Sequence, residues 1–238
     1  MAIRKEERIG GQRLILGDCL EVMSLLGKVD AVVTDPPYGI GFRYSTHKDT
    51  PEAFIDFCRV VNGRALAMLQ YPEEMMAMAC PILGAPSETL AWVYGSNLPR
   101  QLRLWGFWNC DVDPARSKQK ARNPECAKVA SDWVSGYDWR EIPQVKNTSQ
   151  DKTGHPCQLP LKVAEWVLEC VSAKTILDPF MGSGTTLVAC QKLGRQGIGI
   201  EIDPEYFEIA CKRVDEATRQ PDMFVEPVKP PVQEGFDL

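Results

Sequence analysis

The sequence predicts an α/β fold built on a doubly wound, mostly parallel sheet. Three observations carry that prediction. Short apolar runs alternate with amphipathic helical stretches at both ends of the chain, which is the pattern of a parallel sheet covered on two faces. Two of the runs stop at abrupt punctuation, Asp35-Pro-Pro-Tyr38 and Asp178-Pro-Phe-Met-Gly-Ser-Gly184, and ligands bind at the carboxyl ends of strands in such folds. Between the two regular regions, about Gly95 to Thr153, no period is visible.

The elements follow in order. Arg13-Leu-Ile-Leu16 is a short strand ending in Gly17-Asp18, and Cys19 to Leu26 is helix-like, with Leu20, Met23 and Leu26 broadly on one side. Asp30 to Thr34 reads as a buried strand stopped by Asp-Pro-Pro. Gly39 to Thr50 is polar and glycine-containing, hence a loop. Pro51 opens a helix at its favoured first position, and Phe54, Phe57, Cys58 and Val61 share one face. Ala65–Gln70 and Leu90–Tyr94 are further strands, with a helix over Pro72–Cys80 between them. Regularity returns with a helix over Leu161–Val171, a strand over Lys174–Leu177, a helix over Thr185–Leu193, a strand over Gly197–Ile202 and a helix over Pro204–Arg219. The tail beyond Gln220 holds four prolines and is expected to trail over the surface or be disordered.

Bulk properties narrow the function class. A chain of 238 residues suits one sizeable α/β domain with an insertion. No apolar run approaches the roughly 20 residues needed to span a bilayer, and the charged N-terminus lacks the apolar core of a signal peptide. The nine cysteines are scattered without a CxxC pair and fall partly on apolar helical positions. A reduced, cytoplasmic setting with no metal site is therefore expected. The net charge of −5 argues mildly against a general nucleic-acid coat, but residues 115–128 carry five basic groups against one acid.

The carboxyl-terminal motif is strand, glycine loop, helix, strand and acid. Asp178 ends its strand, Gly182 and Gly184 let backbone approach a ligand, and the next helix offers free N–H groups. No lysine precedes Thr185-Thr186, so this is not a P-loop, and the third glycine of the dinucleotide fingerprint is missing. Both departures suit a cofactor without phosphates. Glu201 ends the next strand, where a carboxylate can bind ribose hydroxyls.

Taken together, Thr34-Asp-Pro-Pro-Tyr-Gly39 and Asp178-Pro-Phe-Met-Gly-Ser-Gly-Thr-Thr186 resemble the catalytic and cofactor motifs of S-adenosyl-L-methionine-dependent amino-methyltransferases. Their order, catalytic before cofactor, resembles the circularly permuted beta class of DNA methyltransferases, the N6-adenine and N4-cytosine enzymes of restriction-modification type. The resemblance implies a Rossmann-like sheet with residues 1–94 as the catalytic half, 95–152 as an inserted target-recognition region, 153–220 as the cofactor half and 221–238 as a tail. It implies S-adenosyl-L-methionine held by Asp178, Pro179, Phe180, Gly182, Ser183, Gly184, Thr185 and Glu201, with Asp18 and Cys19 beside its adenine. Asp18 also fits an N-cap. His155-Pro-Cys-Gln-Leu-Pro160 resembles a family segment at the methionine end, with Leu159 where lysine is usual and His155 in a structural role.

The exocyclic amine of a base is a poor nucleophile because its lone pair is delocalised into the ring. Asp35 and the Pro36 carbonyl can accept its two N–H groups and draw that pair out, while Tyr38 stacks on a flipped base. Extrusion costs a few kcal/mol, and aromatic stacking returns about 1–3 kcal/mol. Within the family an aspartate at the first motif position favours adenine N6, with cytosine N4 as the alternative. A non-catalytic cofactor- or DNA-binding subunit is the rival from another class. The implied partner is double-stranded DNA, in a prokaryotic or phage-type, nucleoid-associated setting, and a homodimer is one expectation. For DNA contact the sequence offers Arg43 and Lys48 in the loop after the tyrosine, and Arg116, Lys118, Lys120 and Arg122 in the insertion. Arg100 and Arg103 belong to the same basic set, and the insertion's tryptophans are read as core.

Overall fold

A computed structural model of the protein describes residues 1–44, 46, 48–95, 100–113, 119–120, 133–134, 139–145, 153 and 157–219. The strands are β1 (Ile3–Ile9), β2 (Gln12–Gly17), β3 (Ala31–Thr34), β4 (Leu66–Gln70), β5 (Glu88–Val93), β6 (Leu102–Trp108), β7 (Gln119–Lys120), β8 (Trp133–Val134), β9 (Trp139–Glu141), β10 (Thr175–Asp178) and β11 (Gln196–Glu201). Nine of them form one sheet in the order β1-β2-β11-β10-β3-β4-β6-β5-β9, and β7 pairs with β8 apart from it. From β2 to β4 every pairing is parallel. Antiparallel pairs flank that centre, β1 with β2 on one side and β4–β6–β5 on the other.

The two ends of the chain share this sheet. Strands β10 and β11 lie between β2 and β3, with Ile176 opposite Ala31 and Leu177 opposite Val32. Because β3 and β10 run parallel in this register, the segments following Thr34 and Asp178 leave the sheet side by side at one carboxyl edge.

Alternation along each strand sorts the core into two faces. Val32, Leu66, Met68, Leu177 and Ile200 pack against α1 (Cys19–Met23), α2 (Pro51–Val61) and the helical segment that follows β4. Ala31, Val33, Ala67, Leu69, Trp105, Phe107 and Ile176 point the other way, onto α5 (Leu161–Cys170) and α6 (Thr185–Lys192). Leu14 and Leu16 face α6 and α7 (Pro204–Arg219). In β11, Gly197 and Gly199 let α6 lie close: a Cβ on Gly199 would stand 2.9 Å from Leu187. Among the described residues no helix is long and apolar enough to cross a membrane.

Local differences from the sequence-based expectations have identifiable causes. The helix predicted over Pro72–Cys80 runs to Leu83 as α3 (Pro72–Glu74), a π turn (Met75–Ala79) and α4 (Cys80–Leu83). Pro81 has no N–H and crowds the carbonyl four residues back, and the wider turn places the Cys80 N–H on the Met75 carbonyl. The helix after Gly17 stops at Met23 rather than Leu26. Strand β6 lies in the stretch that shows no period. Its Trp105 and Phe107 face one core and its Leu104 and Trp108 the other, so two-sided burial erased the alternation. The proline-containing tail lies outside the described residues.

Candidate active site

Both motifs line one cleft of about 410 Å³ at the carboxyl edge of the sheet. On the cofactor-motif wall, Asp178 is buried; its Oδ1 accepts from Thr34 Oγ1 at 2.7 Å and from the Phe180 N–H at 3.1 Å. Burial pushes its carboxyl up to about 6 against those bonds. Gly182 and Gly184 adopt φ of 50° and 81°, the left-handed region that lets the loop double back before α6. The Gly182 N–H donates to Glu201 Oε2 at 2.9 Å and the Asp203 N–H to Oε1 at 2.8 Å, so Glu201 ties the glycine loop to the end of β11. Burial raises the Glu201 carboxyl to about 7 even so.

Arg213, on α7, clamps the loop from behind: its Nη1 donates to the Ser183 carbonyl at 2.6 Å, to Ser183 Oγ at 3.0 Å and to Thr185 Oγ1 at 3.1 Å. Pro179, Phe180, Gly182, Ser183, Thr185 and Glu201 all line the cleft, whereas Gly184 lies behind it against Ala210. Across the cleft, Asp18 caps α1 by accepting the Leu20 N–H at 2.8 Å and lines the cleft with Cys19 and Leu159. Burial lifts the Cys19 thiol to about 12, so it carries negligible thiolate at neutral pH. His155 lies outside the described residues.

At the catalytic-motif wall, Asp35 lines the cleft and Pro36 is buried beneath it. The Tyr38 hydroxyl donates to Asp35 Oδ1 at 2.6 Å, and Arg103 Nη1 stands 3.9 Å from Oδ2. Burial raises the Asp35 carboxyl, and Arg103 and Tyr38 oppose that rise. Tyr38 is itself buried, edge-on to Tyr71 with ring centroids 5.4 Å apart, and does not line the cleft. The tyrosine of the following loop, Tyr44, does line it.

The loop after Tyr38 is knotted by a residue that sequence reasoning missed. Asp49 is buried, and its carboxylate accepts the N–H groups of Gly39 at 2.6 Å, Ile40 at 3.2 Å and Phe42 at 2.9 Å. Arg43 and Lys48 form an isolated antiparallel bridge that brings both to the cleft. Asp49 had a weak signal, an acid just ahead of the Thr50-Pro51 helix start; Arg103 and Arg213 had none. Arg103, grouped by sequence with the basic residues facing DNA, is instead turned into the fold beside Asp35. Arg100 pairs with Glu74 at 2.8 Å. Trp105 and Trp108 are core, as expected, whereas Trp139, also read as core, is exposed on the edge strand β9. Arg116, Lys118 and Arg122 lie outside the described residues, as does the side chain of Lys120.

Residues 92–212, just over half of the chain, match the DNA methylase family of N6/N4 methyltransferases. The chain belongs to this family. Among curated relatives, Type II methyltransferase M.ScaI of Streptomyces caespitosus is 27% identical over 84% of this chain and 80% of its own length. Type II methyltransferase M.HpaI of Haemophilus parainfluenzae is 26% identical over 86% of this chain and 74% of its own. Solved structures share the fold. The M1.HpyAVI–SAM complex superposes with a TM-score of 0.61 at 23% identity, covering 86% of this chain and 99% of that one. The cytosine-N4-specific PvuII DNA methyltransferase does so with a TM-score of 0.66 at 18% identity, covering 91% and 94%.

Proposed function

We propose that the protein is a beta-class, circularly permuted DNA methyltransferase that uses S-adenosyl-L-methionine to methylate the N6 amino group of adenine in double-stranded DNA. The observation that supports this most is the convergence of Asp35 and the Asp178–Gly184 loop on one cleft. Residues 1–94 and 153–220 serve as the catalytic and cofactor halves; within 95–152, β6 and β9 complete the sheet and the rest contributes target recognition.

The cleft's lining fits the cofactor. Glu201 spends one lone pair of each oxygen on backbone N–H groups and keeps others for ribose hydroxyls. Asp18 and Cys19 flank the adenine end, and Phe180 with Ile202 gives apolar walls. The relative M1.HpyAVI has been solved with this cofactor. When bound, S-adenosyl-L-methionine supplies an electrophilic methyl group. The chain's residues make the acceptor reactive. Asp35 and the Pro36 carbonyl accept the two N–H groups of the target amine and draw its lone pair out of conjugation. Their hold tightens as the nitrogen becomes cationic, which places the stabilisation in the transition state. Tyr38 leaves its bond to Asp35 to meet a flipped base, and Arg43 and Lys48 approach the phosphates. The half-buried Cys19 thiol, raised to about 12, is a poor nucleophile, in keeping with direct transfer and no covalent enzyme intermediate.

Cytosine N4 is the second reading, favoured by the fold shared with the cytosine-N4-specific PvuII enzyme. Incubation with labelled S-adenosyl-L-methionine and unmethylated mixed-sequence DNA, followed by digestion to nucleosides, separates the two. Label is expected in N6-methyladenine, and label in N4-methylcytosine would transfer the mechanism to the other base. Asp35→Ala is expected to lower the rate about 10²–10³-fold or more, the usual scale for one transition-state hydrogen-bonding group. Full activity in that variant would end the catalytic assignment.

A further inference from the structure

Arg103 is the feature of the site that the family motifs do not cover. A guanidinium is costly to bury without compensation, yet the Arg103 side chain is only 13% exposed. Four aromatic rings surround it, with the guanidinium carbon 5.2 Å from the ring centre of Tyr71, 5.4 Å from Tyr38, 5.5 Å from Trp92 and 5.8 Å from Tyr94. All lie within the range where an aromatic face attracts a cation. The box is rigid. Trp92 is opposite Arg103 in the β5–β6 register, and its indole N–H donates to the Ile142 carbonyl at 2.7 Å. Arg103 Nε has no hydrogen-bond partner, so the rings around it supply part of its compensation. Its charged contact is Asp35, at 3.9 Å.

We propose that Arg103 is a positioning residue that keeps Asp35 ionised and turned toward the cleft, its own charge stabilised by the aromatic box rather than by water. The inference rests on the assignment of Asp35 as the amine-binding carboxylate. The surroundings of Asp35 otherwise disfavour its charge. Burial does so, and an ionised Asp178 adds repulsion, while the Cys157 thiol and Tyr44 hydroxyl on neighbouring segments, both raised by burial, stay neutral at working pH. The Tyr38 hydroxyl supports the carboxylate through its hydrogen bond, but that bond is lost if the tyrosine moves to a base. Arg103 is then the remaining support. Its charge persists at any working pH, and its planar, weakly hydrated head suits an aromatic enclosure better than an ammonium would.

The test is a pH titration of the Asp35 carboxyl by carbon-13 NMR in the full chain, without cofactor or DNA, the resonance being assigned by its loss in Asp35→Asn. Arg103→Gln is expected to raise the titration midpoint by about one pH unit or more, about a tenfold change in proton affinity. Arg103→Lys should move it by less than half as much. The acid limb of the kcat/KM profile should shift upward with the midpoint. An unmoved midpoint in Arg103→Gln would overturn the inference. If Arg103→Gln does not fold, the double variant with Asp35→Asn should, because no buried charge is then left unpaired. An unfolded double variant beside a folded Asp35→Asn would make Arg103 a support of the aromatic core alone, and the inference would fail. Since the titration needs no turnover, an inactive wild-type protein would count against the methyltransferase assignment and leave the answer on Arg103 separate.

Discussion

Two buried carboxyls set the chemistry of the cofactor wall at the scale of single residues. Glu201 accepts two backbone N–H bonds and still has its carboxyl raised to about 7, so burial outweighs those bonds. A ribose hydroxyl is held more strongly by the ionised acceptor. Cofactor affinity is therefore expected to be level above about pH 7 and to fall toward tenfold per unit below it. Calorimetric titration of S-adenosylhomocysteine at pH 6, 7 and 8 checks this, and a flat profile would remove Glu201 from the binding set. Glu201→Gln should weaken binding at pH 8 about tenfold to a hundredfold, the value of a hydrogen bond to a charged group, and flatten the profile. Sequence alone located Glu201 because strand-end acids follow the glycine motif at a readable distance. It could not locate Arg103, whose role depends on which strands become neighbours.

At the scale of elements, the glycine loop and the helix after it work as one device. Gly184 has φ of 81°, and a Cβ there would meet the Ala210 Cβ at 2.9 Å and its Cα at 3.1 Å. Neither contact is the tip of a flexible side chain, so α6 and α7 would have to part. Gly184→Ala is expected to cost about 2–5 kcal/mol, from left-handed strain of about 1–2 kcal/mol and overpacking of about 1–3 kcal/mol. Thermal unfolding measures that loss, and a variant within about 0.5 kcal/mol of wild type would contradict the packing account. Most elements were legible because their burial is one-sided: Phe54, Phe57, Cys58 and Val61 mark α2 in sequence as in structure. Strand β6, buried on both faces like β3 and β4, was hidden because Arg103 and Gly106 interrupt its apolar run, and β1, whose middle reads Arg-Lys-Glu-Glu-Arg, by being a charged strand at the sheet edge.

For the whole molecule, the insertion of β10 and β11 between β2 and β3 concentrates buried acids at one sheet edge, and stability should reflect it. Asp178 rises from an ordinary 3.8 to about 6, and Glu201 from 4.5 to about 7. A raised carboxyl is bound more tightly by its proton in the folded state. Its stabilising contribution is complete below about pH 4 and is lost as pH rises through about 6 and 7. The unliganded protein should therefore lose on the order of 3 kcal/mol per group across that window. Denaturant unfolding of wild type and Asp178→Asn from pH 5 to 8 isolates one group, because the difference between the two should grow with pH. A constant difference would mean that Asp178 is not strained by its burial. The sequence by itself determined the strand and helix periods, the two motifs and hence the family, because local composition and spacing encode them. The tertiary structure decided that Asp35 and Asp178 face one cleft, that Asp49 knots the loop between the Asp35 motif and α2, and that Arg103 turns inward to a carboxylate. Those outcomes depend on strand order and register, which bring together residues as far apart as Thr34 and Asp178 and leave no local trace in the chain.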